Sequence, residues 1–169
     1  KVPKISMDYF FMSQDDQKAS ENPLLLMADE TSGNSYMRAV GKKGLGENNE
    51  MDWLIKDMDD ELKSLGYPGG DNEALIFKSD GERAMVAVKE ALTKRHGGRI
   101  TPELGPRGER GSKGRVEEAG KHVRGLVKVF SDQVEEKAHM TTNACDVIMQ
   151  WLGRWAAMLY SRYSGKTAY

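Results

Sequence analysis

The stretch Ala74-Leu-Ile-Phe-Lys-Ser-Asp80-Gly-Glu-Arg83 decides how this chain is expected to fold. It begins with a short apolar run rich in strand-forming residues, which an acidic residue and a glycine end. Residues 82–93 then have the pattern of a helix. Functional groups of an open sheet lie at the carboxyl ends of its strands, so Asp80 occupies a position where chemistry is often done. An Asp-Gly pair after a strand is nevertheless more often a plain turn.

The segments on either side of this stretch predict a mixed sheet flanked by helices. Three earlier strands form an antiparallel meander, and a brief fifth strand follows the helix after Asp80. Besides the strand that leads to Asp80, the predicted strands are 5–12, 24–29, 36–40 and 99–101, with a polar loop at 13–22. The predicted helices are 50–65, 82–93, one from Ser112 to about Ala138, and a last one capped at 141–143. The order β-β-β-α-β-α-β-α-α indicates an α/β fold with a five-stranded mixed sheet.

Length and composition indicate an ordinary globular chain. With 169 residues, 30% of them charged and 38% hydrophobic, residues 1–169 are expected to form one domain with a proper core. The longest apolar run, 155–160, is six residues and far too short to cross a membrane, so no membrane partner is expected. The single cysteine, Cys145, cannot form an internal disulfide, which fits a reducing compartment.

Charge is distributed unevenly along the chain. Residues 1–72 hold 8 Lys/Arg against 14 Asp/Glu, whereas residues 73–169 hold 17 against 12. Residues 94–128 alone contain ten Lys/Arg and four Glu. A basic segment beside candidate catalytic acids suits a polyanionic ligand. The positive charge by itself is explained equally well by a solvated charged face.

Three carboxylates stand in matching contexts and form the candidate site. Asp8 lies within the first predicted strand, Asp80 ends the fourth, and Glu117 is in the first turn of the helix after a glycine-rich loop. Three carboxylates without a Cys or His partner form a hard-oxygen site that suits Mg²⁺ or Mn²⁺. Two such ions would activate a hydroxyl group and stabilise a leaving oxygen at a phosphodiester.

These residues belong to a set of motifs that resembles the catalytic core of integrases from retroviruses and long-terminal-repeat retrotransposons, within the ribonuclease-H-like superfamily. Between Asp80 and Glu117 lie 36 residues, close to the spacing in that family, and Gly114-Arg-Val-Glu117 matches its pattern in favour of Glu117 over Glu118. The resemblance covers nearly the whole chain. Its motifs are Met7-Asp8-Tyr9, Leu25-Leu-Met-Ala-Asp29 with 36–40, Phe77-Lys-Ser-Asp80-Gly81, Thr101-Pro102 leading to Glu117, and Trp155-Ala-Ala-Met-Leu-Tyr-Ser-Arg162 before Gly165-Lys-Thr-Ala-Tyr169.

The resemblance implies a metal-dependent polynucleotidyl transferase that processes DNA ends and joins them to target DNA. Asp8, Asp80 and Glu117 would be both the catalytic residues and the ligands of two Mg²⁺ or Mn²⁺ ions. The partners would be element DNA, target DNA and further copies of the chain in a homodimer or higher multimer. The host nucleus is the expected location for a eukaryotic retroelement. Because the chain starts a few residues before Asp8, we expect a core excised from a longer protein.

Two alternatives to this function stay open. One is a nuclease of the same superfamily that cuts DNA without joining it. The other is a non-catalytic module for nucleic-acid binding or assembly that has kept the fold.

A row of basic residues follows Glu117 at helical spacing. Lys121, Arg124 and Lys128 lie four, seven and eleven residues after it and share its face. Basic side chains beside a metal-binding carboxylate would hold the phosphates of a DNA end, and Lys113 and Arg115 complete the predicted DNA-binding set. A solvated helix face is the alternative. The glycine-rich loop 105–114 is expected to be mobile without DNA.

Other candidates have simpler explanations. His96, His122 and His139 with Cys145 lack the spacing of zinc ligands and are expected at the surface or at helix ends. Three acids are expected in turns: Asp15, Asp16 and Asp29. Those on the helix at 50–65 are expected to be solvated: Asp52, Asp57, Asp59, Asp60 and Glu61. The apolar residues of the last helix are expected to point inward, with Trp151, Trp155 and the methionines in the core or at a subunit interface. The inward residues are Val147, Ile148, Trp151, Leu152, Trp155, Met158 and Leu159.

Overall fold

The computed structural model describes residues 2–19, 21–46, 51–70, 73–97, 99–104 and 114–164. Five strands occur in these residues: β1 (Lys4–Phe10), β2 (Leu24–Asp29), β3 (Ser35–Ala39), β4 (Ala74–Ser79) and β5 (Arg99–Leu104). The same residues contain five helices: α1 (Gln14–Ala19), α2 (Asp52–Ser64), α3 (Arg83–His96), α4 (Gly114–Ala138) and α5 (Val147–Ser164). None of the described helices is long and apolar enough to span a membrane.

The five strands form one mixed sheet in the order β3-β2-β1-β4-β5. The first three strands are antiparallel neighbours, and β4 and β5 continue the sheet parallel to β1. Every residue of β2 is buried, as expected for an interior strand that is apolar on both faces. The predicted α/β fold with a five-stranded mixed sheet is confirmed.

Helices cover the sheet on both faces and enclose two apolar clusters. Met7 of β1 and Phe77 of β4 pack into the cluster that includes the inward residues of α2 and α3. Phe10 of β1 packs into the other cluster, with residues of α4 and α5. Because side chains alternate between the faces of a strand, Asp8 lies on the α4 side with Phe10.

Several elements differ from those predicted. Helix α3 runs on to His96, and α5 begins at Val147 instead of directly after residues 141–143. Residues 14–19 form a helix, α1, where a polar loop was expected; α1 buries no side chain, so it leaves no hydrophobic periodicity in the sequence. The Ser13 Oγ accepts a hydrogen bond from the N–H of Asp16 (3.0 Å) and so caps this helix. Strand β1 ends at Phe10 instead of residue 12. Strand β5 extends to Leu104 through Pro102, which an edge strand tolerates.

The prediction for the inward face of α5 was wrong in part. Trp151 and Trp155 are 60% and 39% exposed and stack on each other with ring centroids 5.7 Å apart. Helix α5 packs on the sheet through smaller residues, since a Cβ atom on Gly153 would lie 1.9 Å from the Cε of Met37. The closeness of this contact leaves no room for tryptophan. Of the predicted inward residues Leu152 is buried, while Val147 and Met158 are exposed with the two tryptophans.

The expectation of a solvated acidic face on α2 was wrong for Asp59. This residue is buried, and its Oδ1 lies 2.8 Å from the Nδ1 of His96 at the end of α3. The Nζ of Lys63 donates to Oδ2 of Asp59 at 2.7 Å, and the Nε2 of His96 lies 3.2 Å from Oε2 of Glu73. His96 therefore stands at a helix end, as predicted, but is buried in a polar network that joins α2, α3 and the segment before β4.

Candidate active site

The two predicted aspartates lie on neighbouring parallel strands. The register of the β1–β4 pair runs to Ser6 and Lys78, and Asp8 and Asp80 each lie two residues beyond that pair. Both aspartates line the same cavity. Asp8 lies within β1, and Asp80 is the first residue after β4. The aligned register places both on the same face of the sheet, the one covered by α4. Two carboxylates at the carboxyl end of adjacent parallel strands are in the position where open sheets bind ligands.

Backbone N–H groups orient both carboxylates. Oδ1 of Asp8 accepts a hydrogen bond from the N–H of Tyr9 at 2.9 Å. Oδ1 of Asp80 accepts one from the N–H of Glu82 at 3.2 Å, in the turn that leads into α3. Hydrogen bonds of this kind restrict the rotamers of short acidic side chains. The site is thus formed by local backbone geometry as well as by the pairing of the strands.

Helix α4 brings the third predicted acid to the same place. Val116 and Gly120 in its first turns pack against the sheet, and a Cβ atom on Gly120 would lie 3.5 Å from Leu26 and 3.8 Å from Phe10. Glu117 is exposed between them and lines one cavity of about 350 Å³ together with Asp8 and Asp80. Glu118, the alternative, is exposed beside Arg115, with an Oε2 to Nη1 distance of 3.8 Å.

The chemistry of the cavity wall suits a hard cation, but its carboxylates are not gathered into a finished site. The titratable side chains on the wall carry oxygen or basic nitrogen, and neither Cys nor His is among the lining residues. Oxygen donors of this kind are those that Mg²⁺ and Mn²⁺ prefer. Among the residues that the structure describes, no three His, Cys, Asp or Glu side chains come close enough together to hold one ion. Metal binding would therefore draw the carboxylates closer together.

Comparison with known proteins finds structural relatives but no sequence relatives. No protein-family model matches the sequence, and no curated protein matches it. The fold is similar to the catalytic core domain of BIV integrase, at 15% identity and a TM-score of 0.52, over 91% of this chain and 80% of that one. It is also similar to the HTLV-2 integrase catalytic core domain in complex with magnesium in its trimeric form, at 13% identity and a TM-score of 0.56, over 91% and 81%. A dimeric form of that HTLV-2 domain matches as well.

A further match comes from the simian T-cell lymphotropic virus intasome in complex with the PP2A regulatory subunit B56 gamma. It has 14% identity and a TM-score of 0.58 and covers 90% of this chain and 46% of that one. The chain has the fold of a retroviral integrase catalytic core. Low identity over nearly the full length means that the arrangement of strands and helices is shared while most side chains differ. The similar structures therefore show the fold, and the roles of individual residues have to be argued from the geometry of this chain.

The predicted DNA-binding residues are spread along α4 of the integrase-core fold. Arg124 lines the cavity of the three acids, and its guanidinium lies 5.4 Å from the ring centroid of Phe10. Lys121 is exposed one turn after Glu117. Lys128 lines a second cavity, of about 530 Å³, between α1, α4 and the segment before α5. Arg115 is exposed beside Glu118, and Lys113 lies outside the described residues, as does most of the loop 105–114.

A pair of charged residues on the cavity wall was missed in the sequence. The Nζ of Lys43 lies 2.8 and 3.0 Å from the two carboxylate oxygens of Glu82. Glu82 occupies the N-cap position of α3 but makes no capping hydrogen bond through its side chain. Ser, Thr, Asp and Asn are preferred at that position. A glutamate there could have indicated that Glu82 has a role other than capping the helix. Lys43 lies in a glycine-bearing connection whose residues show no helical or strand periodicity.

A buried lysine stands behind Asp80. Lys89 of α3 is 3% exposed, and its Nζ donates a hydrogen bond to Oγ of Ser79 at 3.1 Å. Burial lowers the pKa of Lys89, while the negative charges of Asp80 and Glu90 oppose that effect. The sequence carried a signal for this residue as well, since Lys89 falls on the stripe of inward α3 residues. Its charge acts on the acidic cavity from within the protein.

Proposed function

We propose that the chain is a metal-dependent polynucleotidyl transferase that processes DNA ends and joins them to target DNA. One observation carries the proposal: Asp8 of β1, Asp80 just after the neighbouring strand β4, and Glu117 of α4 line the same cavity. The integrase-core fold supports it, because three carboxylates at this place are an oxygen-donor set for divalent cations. Proposals for metal, DNA and assembly follow from this arrangement.

Asp8, Asp80 and Glu117 would hold Mg²⁺ or Mn²⁺, in a site for two ions. When bound, a pair of such ions activates an attacking hydroxyl group and stabilises the leaving oxygen of a phosphodiester. The HTLV-2 core of the same fold in complex with magnesium supports the choice of metal. Glu117 is the ligand that moves furthest on binding, since it is an exposed, long side chain in the first turn of α4.

Basic residues along α4 would hold the DNA against the acids. Arg124 stands on the cavity wall and would bind a phosphate next to the reacting one. Lys121 and Lys128, exposed on the same helix, would continue the contact along the strand, and Arg115 and Lys113 would contact DNA at the start of the helix. These phosphate contacts fix position without reading sequence.

We further propose that the chain assembles as a homodimer or higher multimer through α5. Val147, Trp151, Trp155 and Met158 are exposed at helical spacing and form one apolar stripe that the described residues leave uncovered. A contiguous apolar stripe on a soluble domain is typical of an interaction surface. A second copy of the chain is the occupant that the dimeric and trimeric HTLV-2 cores support.

The second candidate function is a non-catalytic DNA-binding module of the same fold. The observation in its favour is that the three carboxylates share a cavity without standing at ligating distance among the described residues. A nuclease that cuts without joining uses the same residues and differs only in its product.

A strand-joining assay separates these functions. Labelled DNA ends and a target duplex are incubated with the protein and Mg²⁺ or Mn²⁺, and the products are resolved by length. Joined products that disappear in Asp8→Asn, Asp80→Asn and Glu117→Gln, but persist in the matched control Glu118→Gln, support the proposal. Cut but unjoined DNA indicates the nuclease, and bound but intact DNA indicates the non-catalytic module.

A further inference from the structure

Two basic side chains of the described residues line the cavity of the three acids, and they lie on opposite faces of β1. The guanidinium of Arg124 lies 5.4 Å from the ring centroid of Phe10. The ammonium of Lys43 lies 5.5 Å from the ring centroids of both Tyr9 and Phe11. Because successive side chains of a strand alternate between faces, the rings of Tyr9 and Phe10 carry one cation on each side of β1. The first aspartate of the site, Asp8, lies in the same strand and lines the cavity with both cations.

Lys43 forms an ion pair with Glu82, a residue at the start of α3. Both carboxylate oxygens of Glu82 lie within 3.0 Å of the Lys43 Nζ. Glu82 starts α3, but its side chain does not cap the helix. Like the three predicted acids, Glu82 lines the cavity, so it adds a fourth negative charge at a place where a phosphate would bind. Its pairing with Lys43 masks a positive charge that the cavity otherwise presents.

The loop that carries Lys43 is anchored independently of this ion pair. The N–H of Gly44 donates a hydrogen bond to the hydroxyl oxygen of Tyr9 at 3.0 Å. Gly44 has a φ of 87°, and a Cβ atom at this position would lie 3.4 Å from the Cβ of Ala84, so the backbone packs closely on the start of α3. The lysine side chain can therefore exchange partners while its backbone stays in place. Partly exposed ion pairs contribute little to stability, and the exchange has a small cost.

We propose that Lys43 binds a phosphate of the DNA in this cavity and that Glu82 holds Lys43 when no DNA is bound. The inference rests on the proposed function, since it names a further DNA contact of the same site. DNA phosphate and the Glu82 carboxylate compete for one ammonium group. Arg124 and Lys43 then hold the DNA strand from the two sides of β1, and the reacting phosphate lies between the two cations.

The competition predicts opposite effects for the two members of the pair. Affinity for a short fluorescently labelled DNA duplex is measured by anisotropy over a series of salt concentrations in Mg²⁺ buffer. Lys43→Ala is expected to weaken binding and to reduce the slope of log affinity against log salt by about 0.9, the value of one lost phosphate contact. Glu82→Gln is expected to strengthen binding. In the double variant the gain from Glu82→Gln is expected to vanish, because it acts through Lys43.

The pair Lys4–Glu103 is a matched control at the other end of β1. Its Nζ to Oε2 distance is 2.8 Å, and the two side chains are 30% and 37% exposed, against 26% and 38% for Lys43 and Glu82. Lys4→Ala and Glu103→Gln should leave affinity and slope unchanged. Circular dichroism confirms that each variant is folded.

Three results would overturn the inference. If Lys43→Ala keeps the affinity and slope of a wild-type protein that binds DNA, Lys43 is not a DNA contact and only this inference fails. If Lys43→Ala and Glu82→Gln weaken binding to the same extent, the pair is a structural tether. If the wild-type protein binds no DNA at any salt concentration, the inference fails together with the proposed function.

Discussion

Asp8 and Asp80 line one cavity, and each lies two residues beyond the pair Ser6–Lys78 with which the parallel register of β1 and β4 ends. Their environments differ in one respect. Asp80 has the buried ammonium of Lys89 behind it, whereas Asp8 is oriented by the N–H of Tyr9. Two carboxylates on adjacent strands repel each other until a cation binds.

Replacing either aspartate by asparagine is expected to abolish DNA joining with different effects on stability. Asp8→Asn keeps an oxygen that can accept from Tyr9 and removes one of two repelling charges, so the free energy of unfolding should stay unchanged or rise slightly. Asp80→Asn removes a charge that compensates Lys89 and should lower the free energy of unfolding by about 1–3 kcal/mol. Urea unfolding measures both values, and equal values would contradict the proposed coupling to Lys89.

Replacing Lys89 by a neutral side chain is expected to remove the loss of unfolding free energy that Asp80→Asn causes. Methionine has a length similar to that of lysine and needs no counter-charge in the buried space behind Asp80. Lys89→Met combined with Asp80→Asn should therefore be more stable than Asp80→Asn alone. The coupling energy from the four unfolding curves of the double-mutant cycle is the measurement. A coupling energy of zero means that the charges of Lys89 and Asp80 do not interact.

The buried Asp59 is expected to make stability fall at acidic pH. Burial raises the pKa of Asp59, but hydrogen bonds from Lys63 and His96 outweigh this and hold the pKa below its ordinary 3.8. A carboxylate with a depressed pKa stabilises the fold fully above its unfolded value and loses that contribution as pH falls through the lower folded value. The Nε of Arg95 lies 3.5 Å from Oδ2 of Asp59, and its positive charge also favours the ionised carboxylate.

The melting temperature measured from neutral pH down to below pH 3.8 tests this expectation. Asp59→Asn should lower the melting temperature at neutral pH and flatten its dependence on acid. Asp60→Asn is the matched control, because Asp60 is the exposed neighbour on the same helix. Parallel acid profiles for the wild type and Asp59→Asn would show that Asp59 does not link folding to pH.

Substitution on the apolar stripe of α5 is expected to dissociate the multimer. Trp151→Glu places a charge in the centre of the stripe, next to Trp155, with which Trp151 now stacks. Because both rings are exposed within the chain, the monomer should remain folded. Sedimentation velocity over a range of concentrations measures the association. Tyr163→Ala, an exposed residue of α5 away from the stripe, is the control, and unchanged association in Trp151→Glu would place the interface elsewhere.

The sequence predicted the sheet and the placement of the acids because these depend on local patterns. Strand-forming apolar runs and an Asp-Gly turn located β4 and Asp80, and helical spacing located α4 and Glu117. Asp8 and Asp80 are 72 residues apart in sequence, and they share one edge of the sheet only if their two strands are neighbours. Local patterns do not predict that pairing. The structure meets that condition through the parallel β1–β4 pair.

The features that the sequence did not predict depend on tertiary contacts. Asp59 looks like one of several acids on a polar helix face, and only its contact with His96 of α3 buries it. Lys43 and Glu82 are 39 residues apart and meet because the loop after β3 packs on the start of α3. On α5 the periodicity indicated an apolar face. The helix approaches Met37 of β3 closely at Gly153, so small residues of α5 face the sheet.

The central claim, that Asp8, Asp80 and Glu117 form one metal site, is tested most directly by the anomalous scattering of crystals soaked in Mn²⁺. Manganese is expected between the carboxylates of Asp8 and Asp80, with Glu117 turned toward it, and the peak is expected to be lost in Asp80→Asn. Crystals that diffract well but show no manganese at Asp8 and Asp80, or show it only at other acids, would contradict the account.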